Sequence, residues 1–260
     1  MESAPSATGG GIVAQASPKA VAVVQKDLPS VSLEGKDAYE KFELSLPFCR
    51  TTIKTFAANV ANAEEACGGE GYVTLDAMTK CFTSPAWAQL TQNDSKLCKV
   101  LLSDALKDHN KAQSPDQIDS TWLLCYGVIL CAGTPKEKAE VFYGILQDGG
   151  LAAHTFISAA DKDLPPTFEK MCLLATVHLF EFARDFTNID CPFEDNFDKL
   201  REAHEDLRED RFLDEVYGES QSKLDNEPWL EAVTKKAKWV FNSKDLRKAV
   251  FEQAKVEYKF

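Results

Sequence analysis

Few side chains in this sequence stand where their types and spacing could do chemistry. Cys125 and Cys131 flank an apolar helical stretch and His178 lies in another, the minimum for a thiol nucleophile with a distant base. Nothing near either cysteine in sequence would lower a thiol pKa, so both read as small buried hydrophobes. His178 reads as a core imidazole making one hydrogen bond. Asp161-Lys162-Asp163, with Asp148 upstream, suggests a hard-cation site. Pro166, however, falls at the sixth position of a loop opened by Asp161, where the chain must turn sharply, and a carboxylate at Asp161 also suits a helix N-terminus. The glycines of Gly68-Gly69-Glu70-Gly71 are not followed by the Lys-Ser/Thr pair or preceded by the strand of a phosphate cradle. The expectation is no catalytic residue, no cofactor and no enzyme.

The same glycine stretch reads better as scaffold. In Gly71-Tyr72-Val73-Thr74 a glycine turns the chain, an aliphatic residue follows, and a hydroxyl caps the next helix. The aliphatic-plus-cap step recurs at Ile118-Asp119 and Ile157-Ser158, about every 40 residues, as in successive helix-loop-helix units. Leu224-Asp225 is a weaker fourth instance, set further along the chain.

The elements between these steps read as helices. Apolar positions from Tyr39 to Val60 form an entering helix broken at Pro47. Further helices are expected over 93–109, over 122–131, and from Thr134-Pro135-Lys136-Glu137, where a capping box coincides with a proline at the first helical position. A long helix over 168–186 carries no charged residue except His178 through its middle, so it needs a thick core or a covering partner. An amphipathic, densely charged helix follows over 193–217, and two more close the chain. The fold class is all-α, about ten helices, with no strand of convincing length.

From Tyr39 to about Phe182 this layout resembles EF-hand proteins of the calcineurin B and neuronal calcium sensor type. The resemblance rests on Gly71-Tyr72-Val73-Thr74, Ile118-Asp119, Cys131-Ala132-Gly133-Thr134-Pro135-Lys136-Glu137-Lys138 and Ile157-Ser158. It implies paired helix-loop-helix units, a short two-strand contact between loops, and a groove for a partner peptide. The metal positions depart from the family. With Gly71 sixth, the first loop has Ala66 first, Gly68 third, Glu70 fifth and Ala77 twelfth. The second has Lys111, Gln113, Pro115 and Trp122 at those positions, and the third Gly150, Ala152, His154 and Asp161. The loops around Gly71, Ile118 and Ile157 are therefore degenerate, with no metal site carried over and no calcium expected.

Composition sets the frame. The 260 residues carry a net charge of −12 with dispersed lysines and arginines, which argues against nucleic acid and favours basic partners. Eight cysteines without a CxxC pair or zinc spacing read as reduced thiols of a cytoplasmic protein, and no apolar run is long enough for a membrane span. Residues 1–36 read as a low-complexity tail, 37–133 as an EF-hand-like pair, and 134–260 as a second helical, EF-hand-like half. The functional expectation is a structural or adaptor subunit in a larger intracellular assembly, cytoskeletal or ciliary by analogy. The alternative is a calcium-responsive sensor or regulatory subunit of the EF-hand class. Trp122, Phe168, Leu174, Phe180, Trp229 and Trp239 are the expected partner-binding residues.

Overall fold

Each aliphatic-plus-cap step becomes a three-residue strand leading directly into a helix. In the computed structural model, which describes residues 26–107, 114–147, 156–218 and 223–259, the strands are β1 (Tyr72–Thr74), β2 (Gln117–Asp119), β3 (Phe156–Ser158) and β4 (Lys223–Asp225). They pair antiparallel, two by two. Val73 stands opposite Ile118 in one ladder and Ile157 opposite Leu224 in the other. Val73, Ile118 and Ile157 are fully buried. The paired aliphatics thus tie two loops into one unit by burying their side chains where the strands cross.

Helices flank every strand. α1 (Ala38–Leu44) precedes the first unit, which comprises α2 (Ile53–Ala66), β1 and α3 (Leu75–Cys81). The second comprises α4 (Lys96–Leu101), a 3-10 turn over Asp104–Leu106, β2 and α5 (Ser120–Leu130). The third is α6 (Pro135–Leu146), β3 and α7 (Leu164–Ala175), after which α8 (Val177–Thr187) continues. In the fourth, α9 (Phe197–Leu207) runs through a π-helical segment, Arg208–Leu213, into α10 (Asp214–Tyr217), and β4 leads into α11 (Asn226–Lys236). α12 (Ser243–Ala254) closes the fold. Leu224-Asp225 is therefore a full partner of Ile157-Ser158 despite its distance in sequence.

Local chemistry explains the helix starts. Thr74 and Asp119 accept hydrogen bonds from Ala77 and Trp122 backbone N–H groups, and Thr134 and Glu137 form the reciprocal capping box at α6. Three expected spans and the expected place of Asp161 are corrected. The helix over 93–109 is shortened to α4, capped by Ser95, with residues 108 and 109 outside the described residues. The charged helix over 193–217 begins at Phe197, after a 3-10 turn. Asp161 stands before α7, accepting from the Asp163 backbone N–H, rather than within a helix.

The long apolar helix is two. Thr176 breaks it with φ −127° and ψ −96°, its hydroxyl donates to the Cys172 carbonyl, and Arg247 Nη1 donates to the Ala175 carbonyl at 3.1 Å. The apolar middle faces a thick core and not solvent: Met171, Cys172, Leu174, Ala175, Val177, Leu179 and Phe180 are all fully buried.

That core is continuous across the boundary at residue 133. Phe48, Phe56, Phe82, Trp87 and Tyr126 form an aromatic cluster in the first half, and Tyr126 meets Phe182 of α8 at 6.5 Å. Residues 1–25 of the expected tail lie outside the described residues. Its last part runs along the body, where Leu28 N–H donates to the Arg50 carbonyl and Asp27 accepts from Arg50 and from the Ala86 backbone N–H.

Candidate functional site

Trp122 is the third helical residue of α5, and the Asp119 cap that accepts its N–H at 2.9 Å fixes where the indole projects. The ring is half-buried at the head of a groove of about 630 Å³ between the Asp104–Leu106 turn, α5, α7 and α8. Leu173, Phe182 and Phe186 supply the apolar floor. Lys170 crosses the head, with its ammonium 5.1 Å from the Trp122 ring centroid and donating to the Ala105 carbonyl at 2.9 Å. A lysine held over an indole face gains cation–π attraction and stiffens the wall.

The rim is polar and internally paired. His178 Nδ1 lies 3.0 Å from Glu181, Arg184 pairs with Asp185 and Glu194, and Lys107 pairs with Asp104. An apolar floor with paired charges around it is what a cleft for an amphipathic segment requires, because rim groups keep water while floor groups lose it.

The other five expected anchors are placed in the interior. Phe168 packs against Phe212 and Trp239, and Phe180 against Tyr39, Phe197 and Phe251. Leu174 is fully buried in α7. Trp229 donates from its indole to the Tyr217 hydroxyl, which donates to the Ile157 carbonyl, so this ring joins α11 to β3. Trp239 donates to Glu215 at 2.6 Å and is covered by the Arg211 guanidinium at 4.4 Å. Of the six, Trp122 alone lines the groove. Phe182, Phe186 and Leu173 were missed as groove residues. The available signal was the i, i+4 aromatic pair Phe182 and Phe186 beside His178.

The first loop is closed by its own protein. Gly68, Gly69 and Gly71 take φ of 99°, 72° and 77°, and the Gly71 N–H donates to a Glu64 carboxylate oxygen from the preceding helix at 3.2 Å. Lys111, Gln113, Gly150, Ala152, His154 and Thr155 of the other two loops lie outside the described residues. Among the described residues no group of three His, Cys, Asp or Glu side chains converges as metal ligands. Burial pushes the Cys125, Cys131 and Cys172 thiols well above the ordinary value, which leaves them protonated and poor nucleophiles. Among the described residues no helix is long and apolar enough to cross a membrane.

Comparison of the chain with protein-family models, with curated proteins and with solved structures returned no match.

Proposed function

We propose that this chain is a non-catalytic adaptor built on degenerate EF-hand-like pairs, which holds a segment of a protein partner in the Trp122 groove within a larger intracellular assembly. The groove carries the reading. Its apolar floor, its lysine-braced indole and its paired rim are held by contacts within the chain itself. The paired strands with Val73 against Ile118 and Ile157 against Leu224 support the EF-hand-like arrangement. Glu64 filling the first loop's turn argues against calcium control there, since a carboxylate already engaged by Gly71 N–H must be released before it could help coordinate a cation. A cytoskeletal or ciliary setting is the example preferred by analogy alone.

The test is co-purification of partners with wild-type and Trp122→Ala chains expressed in their native cells. A stoichiometric partner retained by wild type and lost with Trp122→Ala, at unchanged melting temperature, supports the reading. Equal retention by both chains overturns the groove assignment. Calcium titration followed by tryptophan fluorescence addresses the sensor alternative: a saturable micromolar response would replace the adaptor reading with it.

A further inference from the structure

The face of α8 opposite the groove is covered by α1. Phe180 projects about half a helical turn away from His178 and Phe182, so the two surfaces do not overlap. On this far side Tyr39 of α1 enters an aromatic cage, with ring centroids 4.6 Å from Phe180, 6.2 Å from Phe193 and 6.4 Å from Tyr258. Its hydroxyl donates to the Asp190 carbonyl at 2.8 Å. Phe42, one turn on, is also buried.

Three carboxylates at three-residue spacing complete the contact. Tyr258 donates to Asp37 at 2.7 Å, Lys244 to Glu40 at 3.1 Å, and Arg247 to the two Glu43 oxygens at 3.1 and 3.4 Å. Ser243 donates to Glu43 as well. All four donors belong to α12 or the segment that follows it. The surface therefore reads the pattern acid, x, aromatic, acid, x, x, acid, which Asp37 to Glu43 satisfies.

Two observations make the occupant exchangeable. α1 has seven residues, too few for a helix that is stable alone in water even with its Asp37–Glu40 capping box, so contact with this surface helps to maintain it. The contact also includes an ion pair whose arginine is 0% exposed and whose Nε has no partner among the described residues, and desolvation offsets much of such a pair's attraction. Arg247 keeps hydrogen bonds to the Ala175 carbonyl and to Ser243 that do not involve α1. Its charge is thus partly satisfied when the helix leaves.

We propose that the surface formed by α8, α12 and the C-terminal segment is a docking site for short acidic–aromatic helices, that α1 is its resident occupant, and that a partner helix of the same pattern displaces it. The proposal concerns a different face from the Trp122 groove, and its test separates the two. A fluorescein-labelled peptide of residues 34–46 is titrated into the full-length chain, its Tyr39→Ala variant and its Trp122→Ala variant. The Tyr39→Ala chain, whose own occupant is weakened, should bind the peptide at least about tenfold more tightly than wild type, because the site no longer has to be vacated. Trp122→Ala should bind like wild type. In the wild-type chain, excess peptide should accelerate amide hydrogen exchange across α1. Equal affinity of the wild-type and Tyr39→Ala chains overturns the proposal, as does loss of binding in Trp122→Ala. Where Tyr39→Ala fails to fold, the exchange experiment on wild type decides: α1 protection unchanged by excess peptide overturns the proposal.

Discussion

Lys138 follows the capping glutamate of α6 by one position, where a lysine ordinarily reaches water, yet it is 7% exposed and its ammonium donates to the Phe241 carbonyl at 2.7 Å. Burial pulls its pKa down to about 8. The folded value lies below the unfolded value of about 10.4, so between these limits the unfolded chain binds more protons and stability rises with pH. Below about pH 8 the penalty is present in full. Lys138→Met should therefore stabilise the protein at pH 7 by about 1–3 kcal/mol, after allowance for the lost hydrogen bond. It should also flatten the rise in stability between pH 8 and 10, as read by urea denaturation at several pH values; an unchanged pH profile would show that the ammonium is solvated. In the sequence Lys138 stands only as part of a helix-opening motif. Its burial depends on a carbonyl in the turn before α12, which no local pattern announces.

At the scale of elements, Gly127 lies inside α5, where glycine weakens a helix by about 1 kcal/mol relative to alanine. The reason is a neighbour. A Cβ added there would stand 2.3 Å from Phe56 Cε1, because α2 lays that ring against the bare backbone. Phe56 has no slack, being packed between Phe48, Phe82 and Trp87. Gly127→Ala should thus destabilise by about 1–3 kcal/mol through overpacking, despite alanine's better helix propensity. Thermal melting checks the sign, and a stabilised variant would mean that the ring relocates freely. The caps and the aliphatic steps were legible because each acts within four residues: Thr74, Asp119 and Thr134 all accept from backbone N–H groups three positions on. The break at Thr176 was not, since the arginine holding the Ala175 carbonyl is remote in sequence. The candidate site was legible only at Trp122. The large apolar residues Phe168, Leu174, Phe180, Trp229 and Trp239 satisfy the same compositional rule whether they face a partner or a core, and here the core has them.

For the whole molecule, the question is whether the halves meeting at residue 133 behave as separate bodies. Each half contains one strand ladder, Val73 with Ile118 and Ile157 with Leu224, which by itself would favour two independently folding pairs. Three features oppose that. α2 and α5 of the first half pack on α6 and α7 of the second. Tyr126 reaches Phe182, joining the aromatic cluster around Trp87 to α8. α1 precedes the first pair but is held by Lys244, Arg247 and Tyr258 at the other end of the chain. Opening either half alone would expose apolar surface on the other, at roughly 25 cal/mol per Å², so partial unfolding is disfavoured. Urea unfolding should accordingly be a single transition, with coincident midpoints for far-UV circular dichroism and for the fluorescence of two reporter variants. One reporter keeps Trp87 in the first half and replaces the remaining tryptophans with phenylalanine; the other keeps Trp229, buried against Phe142 and Tyr143 in the second. Since phenylalanine at the other positions lowers stability, each midpoint is compared with the dichroism of the same variant. Midpoints separated by more than experimental error would mean that the shared core is too weak to couple the pairs, and that the ladders and not the core define the folding units.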